Sequence, residues 1–318
     1  MSIHIFSHSY ARATAPASVS NVGPGFDVFG FAISGTGDEV EAWPHPQKEV
    51  VIVGISGNNA ISLDPEQNTA GKAVLALLEF LQIEQGVKLF IHKKIATGSG
   101  IGSSASSAVA AVVAVNALLE NPLPKEYLIA FALAGEAIAS GGSIHGDNVL
   151  PALLGGFVVI KDVEQHKYCH ITISSGLHFV VLHPDIEIKT SYARSILPKE
   201  LPVKSVVTQV ANASFLIAGL LLGDSRLIQE GVHDLIAEPY RKSLIPGYDT
   251  VREIALANGA IGFNISGSGP SVFGIFDSLA AAEKTAELME EPFRTQKLHV
   301  DRRVTSVNNE GAIVLELE

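Results

Sequence analysis

The chain of 318 residues has one cysteine, one tryptophan and two methionines, and only 17% of its residues are charged. The lone Cys169 excludes an internal disulfide and a thiolate zinc site, and its expected place is a buried, half-polar filler position. Basic residues are the scarcer sign: 22 Lys and Arg against 33 Asp and Glu give a formal net charge of −11. That balance argues against nucleic acid and anionic membrane as partners, since both need a basic footprint, and leaves small molecules as the ligands. Long apolar runs are missing too. The longest, near 109–119 and 215–222, fall far short of a membrane span, and "MSIHIFSHSY" lacks a basic region followed by an apolar one. A soluble, cytoplasmic protein is expected.

What is present is enough apolar residue, 47%, for a sizeable core, and a length that favours two domains. "VEAWP" and "EVVIVGIS" read as strands, "NTAGKAVLALLEFLQI" as an amphipathic helix and "GVKLFIHKKIA" as a further strand. A helix is expected over 125–140, stopped by the glycine pair of "ASGGS", followed by an irregular stretch, "GSIHGDNVLPALLGG", and a short strand, "FVVI". Periodicity is lost over 161–168, which places a domain boundary between 165 and 166 and gives units 1–165 and 166–318. The second unit alternates strands, such as "HFVVLHP" and those of "AIGFNISGSGPSVFGIF", with helices in "SVVTQVANASFLIAGLLL", "DTVREIALANG" and "SLAAAEKTAELMEEPF".

The stretch "TGSGIGSSASSAVAAVVAVNALL" joins an expected strand to a helix of small residues through Gly98, Gly100 and Gly102. Two familiar phosphate loops fail here: a Walker loop needs Gly-Lys where Ser103 and Ser104 stand, and a dinucleotide fingerprint needs its third glycine at 103. What remains is an anion cradle of backbone N–H groups at a helix N-terminus, without lysine. Charge neutralisation then falls to a metal, most often magnesium for a nucleoside triphosphate. The Ser104 hydroxyl and the Glu136 carboxylate suit it if their helices lie side by side. Two more glycine-bearing polar segments interrupt apolar sequence: "APASVSNVGPGFDVFGFAI", with Asn21, Gly23, Gly25 and Asp27, and "ISGSGPSVFGIF", with Ser266 to Pro270. Polar backbone beside a core is costly unless it binds something, so the three loops are expected to converge on one site.

These segments, in this order, resemble the three motifs of the GHMP kinases, and the likeness spans nearly the whole chain. Within that superfamily the first motif, "PASVSNVGPGFDVFGFA", is similar to that of the homoserine kinases, where sugar and mevalonate kinases carry a Gly-Glu-His segment; "HGDNVLPALLGG", "TSYARSILP" and "EPYRKSLIPGY" share that likeness. The resemblance implies an α+β fold, with an N-terminal domain of ribosomal-protein type packed on a C-terminal ferredoxin-like domain, and ATP and substrate meeting between them. It implies that Gly98, Ser99, Gly100, Ile101, Gly102, Ser103, Ser104 and Ala105 wrap the triphosphate, that Asn68 contacts adenine, that Ser104 and Glu136 lie near Mg2+, and that Gly267 to Pro270 close the floor.

A homoserine-like substrate is a small zwitterion with one primary hydroxyl. Its carboxylate needs a cationic fork, for which Arg194 and Arg241 are the candidates, beside Gly267; its ammonium needs acceptors, for which Asn21 and Asp27 stand ready with His145 and Asp147 nearby. Asn148 is expected closest to the hydroxyl and the γ-phosphate. Ser18 stands where the first motif of related kinases commonly has lysine, and no dedicated base is assigned; a loose phosphoryl-transfer transition state asks little prior deprotonation of the nucleophile. The expected activity is ATP-dependent phosphorylation of L-homoserine by a possible homodimer. A kinase for another small alcohol, or a non-catalytic ATP and metabolite sensor, are the alternatives.

Overall fold

The computed structural model describes residues 5–57, 60–139, 144–173 and 176–318. The end of the helix expected over 125–140 and the glycine pair of "ASGGS" lie outside the described residues. Two antiparallel-rich sheets organise the chain. The larger has seven strands: β1 (Ala11–Ser20), the long β2 (Phe29–His45), β3 (Val50–Ser56), β4 (Gly86–His92), β5 (Phe157–Asp162), β6 (Lys167–Ile171) and β11 (Ile313–Leu317). Its main path runs β11-β1-β2-β4-β3, with only β3 and β4 parallel; the first residues of β2 also pair with β5, and β5 with β6. The smaller sheet contains β7 (His178–Pro184), β8 (Gly262–Ile265), β9 (Val272–Phe276) and β10 (Val300–Ser306) in the order β10-β7-β9-β8, all neighbours antiparallel, which is the ferredoxin-like arrangement.

Helices α1 (Thr69–Leu81), α2 (Ser103–Ala117) and α4 (Val149–Leu154) pack on one face of the large sheet, and α3 (Leu128–Ala139) packs on these helices. α2 is apolar or small on every side, and all of it except Ser104 is buried, as expected of a helix packed on all sides. The opposite face of that sheet, at Ala17, Val19, Phe31 and Phe157, meets Phe179, Val181, Phe273 and Ile275 of the small sheet. Phe31 is the centre of this seam, with ring centroids 4.6 Å from Phe179 and 6.0 Å from Phe273. The alternate residues of the small sheet, such as Val180, Leu182 and Val272, face a third core under α9 (Tyr248–Ala257) and α10 (Leu279–Thr295). Between β7 and β8 the chain also forms α5 (Thr190–Ser195), α6 (Val203–Leu222), α7 (Ser225–Gly231) and α8 (Glu238–Arg241).

Several expectations need correction. A cut between 165 and 166 divides the β5–β6 hairpin, whose two strands belong to the same sheet, and the C-terminal β11 returns to pair with β1. The stretch read as irregular contains α4. Cys169 is exposed rather than buried, because β6 is an edge strand paired only with β5. The apolar run 215–222 is only the last part of α6, a 20-residue helix that contains an 18-residue window of mean hydropathy 1.7 and is, by length and composition only, long and apolar enough to cross a membrane. Thr208, Gln209 and Asn212 interrupt the apolar sequence before 215 without breaking the helix. α6 packs on α7 through Leu216, Gly219 and Leu220 and leaves Val203, Val207, Val210, Leu221 and Leu222 exposed.

Candidate active site

The loop between β4 and α2 is held to the other two glycine segments backbone against backbone. Gly100 and Gly102 have φ of +79° and +70°, a left-handed backbone that favours glycine. A Cβ on Gly100 would lie 2.8 Å from the carbonyl oxygens of both Ser266 and Gly269, and one on Gly102 would lie 2.2 Å from Ser18 Oγ. Hydrogen bonds complete the junction: Ser266 Oγ donates to Gly100 O (2.6 Å), Ser271 Oγ to Ser99 O (2.5 Å), Gly267 N to Ser20 O (2.9 Å) and Ser18 N to Ile101 O (3.1 Å). The three loops therefore converge, as the sequence led one to expect. Gly102→Ala is expected to cost about 1–2 kcal/mol from the left-handed backbone alone, with a further loss from the Ser18 clash. A thermal melt and the KM for ATP check it.

These loops line a cavity of about 380 Å³. At one end, α2 and α3 lie side by side and Ser104 Oγ donates to Glu136 Oε1 (2.9 Å). Glu136 Oε2 is buried with no hydrogen-bond partner. Burial, then the charge of Asp147, pushes the Glu136 carboxyl up to about 7, against the pull of Ser104 and Lys93. A buried carboxylate oxygen without a partner, next to a hydroxyl at a helix N-terminus, is the donor set a hard divalent cation takes. Among the described residues no group of three His, Cys, Asp or Glu could hold a metal by themselves, so a cation here needs phosphate oxygens as well. Ser99 Oγ is likewise buried and unpartnered in the cavity wall.

Asn148 lies between the two ends of the cavity. Its amide is fixed by the first motif: Oδ1 accepts from Ser18 Oγ (2.9 Å) and Nδ2 donates to Ser20 Oγ (3.1 Å). Ser18 thus orients the asparagine. At the far end Asn21 Oδ1 accepts from Asp27 N (2.7 Å), and Arg194 makes a fork to Asp27 (2.9 and 2.8 Å), with His145 Nε2 3.4 Å from its Nη2. Arg241 is buried, donating to Gly267 O (2.7 Å) and Ala193 O (3.2 Å), and among the described residues it has no carboxylate within ion-pair distance. Burial, then the neighbouring Arg194, lowers its pKa. The Phe26 ring carries both guanidinium groups, each 5.2 Å from its centroid. Burial lowers the pKa of His145, and burial, then the Asp27 charge, pushes Asp147 up to about 7.

Of the residues singled out in the sequence, Asn21, Asp27, Asn68, Gly98, Ser99, Gly100, Gly102, Ser103, Ser104, Glu136, His145, Asp147, Asn148, Arg194, Arg241 and Gly267 line this cavity. Ile101 and Ala105 do not: their side chains belong to the two cores on either side of the large sheet. Asn68 is at the cavity wall, but its amide caps α1, accepting from Ala70 N and Gly71 N and donating to Ser62 O. Sequence reasoning missed Lys93, Ser20 and Phe26. Lys93 lay inside an expected strand, yet it lines the cavity with its Nζ donating to Ser103 O (2.9 Å), Ser103 Oγ (2.7 Å) and Ser107 Oγ (2.9 Å) and ion-paired with the buried Asp38.

A glycine cradle with no lysine in its own loop, opening a buried helix between a seven-stranded sheet and a ferredoxin-like one, defines a small-molecule kinase of the GHMP class. Models of the GHMP kinase N-terminal and C-terminal domains match residues 68–156 and 216–295. The homoserine kinase of Chloroherpeton thalassium is 43% identical over 95% of this chain and 98% of its own length, and that of Xanthomonas campestris pv. campestris is 40% identical over 96% and 94%. The crystal structure of homoserine kinase from Cytophaga hutchinsonii superposes with a TM-score of 0.93 at 41% identity, covering 97% of this chain and 98% of that one. The structure of L. major mevalonate kinase, at 19% identity and a TM-score of 0.67 over 98% of this chain and 100% of that one, shares the fold. The chain belongs to the homoserine kinase family of the GHMP kinases.

Proposed function

We propose that this chain transfers the γ-phosphoryl group of ATP to the side-chain hydroxyl of L-homoserine, giving O-phospho-L-homoserine for threonine synthesis. The observation that carries this reading is that one cavity joins the Ser104–Glu136 pair at the helix N-terminus to Arg241, a buried cation with no carboxylate within ion-pair distance among the described residues, and to Asp27. The first end suits a metal-bound triphosphate, the second an amino acid. The N–H groups of residues 98 to 105 and the positive end of α2 take the phosphates, with Asn68 beside the adenine. Ser104 and Glu136 would hold Mg2+, which supplies charge neutralisation on the phosphate oxygens. Arg241 and Arg194 take the substrate carboxylate, and Asn21 and Asp27 the ammonium, with His145 and Asp147 around them. Asn148, its amide locked by Ser18 and Ser20, directs the hydroxyl toward the γ-phosphate.

No side chain is given the part of a base. In a loose transition state the nucleophile needs position more than deprotonation, and a fixed amide supplies that. ADP release by the purified chain with ATP and magnesium, comparing L-homoserine with L-serine, L-threonine, mevalonate and galactose, tests the whole reading. Turnover confined largely to L-homoserine is the expected result. Turnover with another alcohol overturns the amino-acid pocket, and ATP binding without any turnover makes the protein a sensor. Arg241→Ala is expected to raise the KM for L-homoserine about 10- to 100-fold, the worth of one charge-assisted bond, with a smaller effect on the KM for ATP; an unchanged homoserine KM removes the assignment. A cytoplasmic location and a homodimer complete the reading. Sedimentation velocity of the purified chain checks the dimer, and a monomer at assay concentrations removes it.

A further inference from the structure

The cavity holds an ion pair joining its two halves. Asp27 lies in the loop between β1 and β2 with φ of +57°, a backbone uncommon for any residue but glycine, and Asn21 braces it from a similar conformation, φ +55°. Arg194 comes from the short α5, 167 positions along the chain, and closes a two-bond fork on that carboxylate. About a third of each side chain is exposed, at the cavity mouth. Arg241, on the same Phe26 ring as Arg194, has no such partner among the described residues. Of the two guanidinium groups, only the outer one, Arg194, holds the Asp27 carboxylate.

An α-amino acid carries the same two charges in the reverse order of need: a carboxylate for the arginines and an ammonium for the aspartate. Resting on the homoserine reading above, we infer that Asp27 and Arg194 select the substrate by exchanging partners. The α-carboxylate draws Arg194 off Asp27, and the α-ammonium replaces the guanidinium on Asp27. Every charge that loses a partner gains one. A hydroxy acid that breaks the same pair leaves Asp27 without a cation, and an amino alcohol leaves Arg194 without an anion; leaving half of a hydrogen-bonded charge pair unmatched is where the cost lies. His145 does not spare them that cost, because burial lowers its pKa and favours the neutral ring beside Asp27. The ion pair therefore makes the site a reader of zwitterions rather than of carboxylates and amines separately.

This differs measurably from two independent contacts. Asp27→Asn removes the internal competitor for Arg194 together with the ammonium acceptor. The expected result is kcat/KM for L-homoserine lowered about 30-fold and that for γ-hydroxybutyrate, the same molecule without its amino group, raised about fivefold. The rise persists at high salt, where long-range repulsion of an anion is screened. The mirror variant, Arg194→Gln, is expected to raise turnover of propanolamine, homoserine without its carboxyl group, while lowering that of L-homoserine. If both variants lose homoserine turnover and neither gains on its single-charge analogue, the contacts are independent and the exchange is wrong. If the wild-type chain releases no ADP with L-homoserine but does with another alcohol, the substrate reading fails and takes the exchange with it.

Discussion

Glu136→Gln is expected to lower kcat by about 10³-fold and, in the same protein, to raise the melting temperature of the ligand-free chain at alkaline pH. The loss of rate follows from the proposed role of Glu136 in holding Mg2+: the charge stabilisation such a metal would supply in the transition state is worth several kcal/mol. The gain in stability follows from the same burial. In the folded chain the Glu136 carboxyl is raised from 4.5 to about 7, chiefly by desolvation. A carboxyl raised on folding holds its proton more tightly in the native state, so its contribution is complete below the unfolded value and is lost as pH rises through 7. Roughly 3 kcal/mol is at stake for a shift of that size. A neutral amide does not ionise and keeps an acceptor for Ser104. Melting temperature against pH for both proteins, with kcat at varied magnesium, checks the pair of effects. Asp147, also raised to about 7, leaves a residual slope in the variant. An unchanged kcat removes the metal assignment; an unchanged pH slope removes the account of the buried charge.

The parts of this site that sequence revealed are the ones whose chemistry is local. Three glycine segments are visible because left-handed backbone and helix capping are properties of a few adjacent residues, and α2 is visible because alanine, serine and valine repeat without charge over four turns. The Ser104–Glu136 meeting required only that two neighbouring helices pack. Lys93 needed more. Its partner Asp38 comes from β2, 55 positions away, and they meet because the β2–β4 register pairs Glu39 with His92, bringing the next residues together at the end of the ladder. A register is fixed by the whole hydrophobic pattern and cannot be read from either strand alone. Phe26 was hidden for a related reason: an apolar residue in a polar loop reads as filler until two arginines from the other half of the chain lie on its ring. The same non-local closure moved Cys169 to the surface, because which strand becomes a sheet edge is decided by the pairing of all the others.

Lys93→Met is expected to destabilise the chain by about 3–5 kcal/mol, the cost of leaving a buried charge without its partner. The Lys93 side chain is 4% exposed and that of Asp38 is fully buried. Asp38 accepts from Lys94 N (2.9 Å), Ile95 N (3.2 Å) and Ser107 Oγ (2.6 Å), while Lys93 also reaches Ser103 and Ser107, so the pair ties the end of β4 to the first turn of α2, next to the glycine loop. The pair itself is not a large source of stability: burial lowers the Lys93 pKa despite the attraction of Asp38. The cost lies in breaking one half. Lys93→Met with Asp38→Asn is therefore expected to recover most of the loss, since the amide oxygen still serves the two backbone N–H groups and no charge is stranded. Denaturant unfolding of the two single variants and the double variant gives the coupling directly. A Lys93→Met protein as stable as wild type at every pH would mean that the buried pair does not hold the loop.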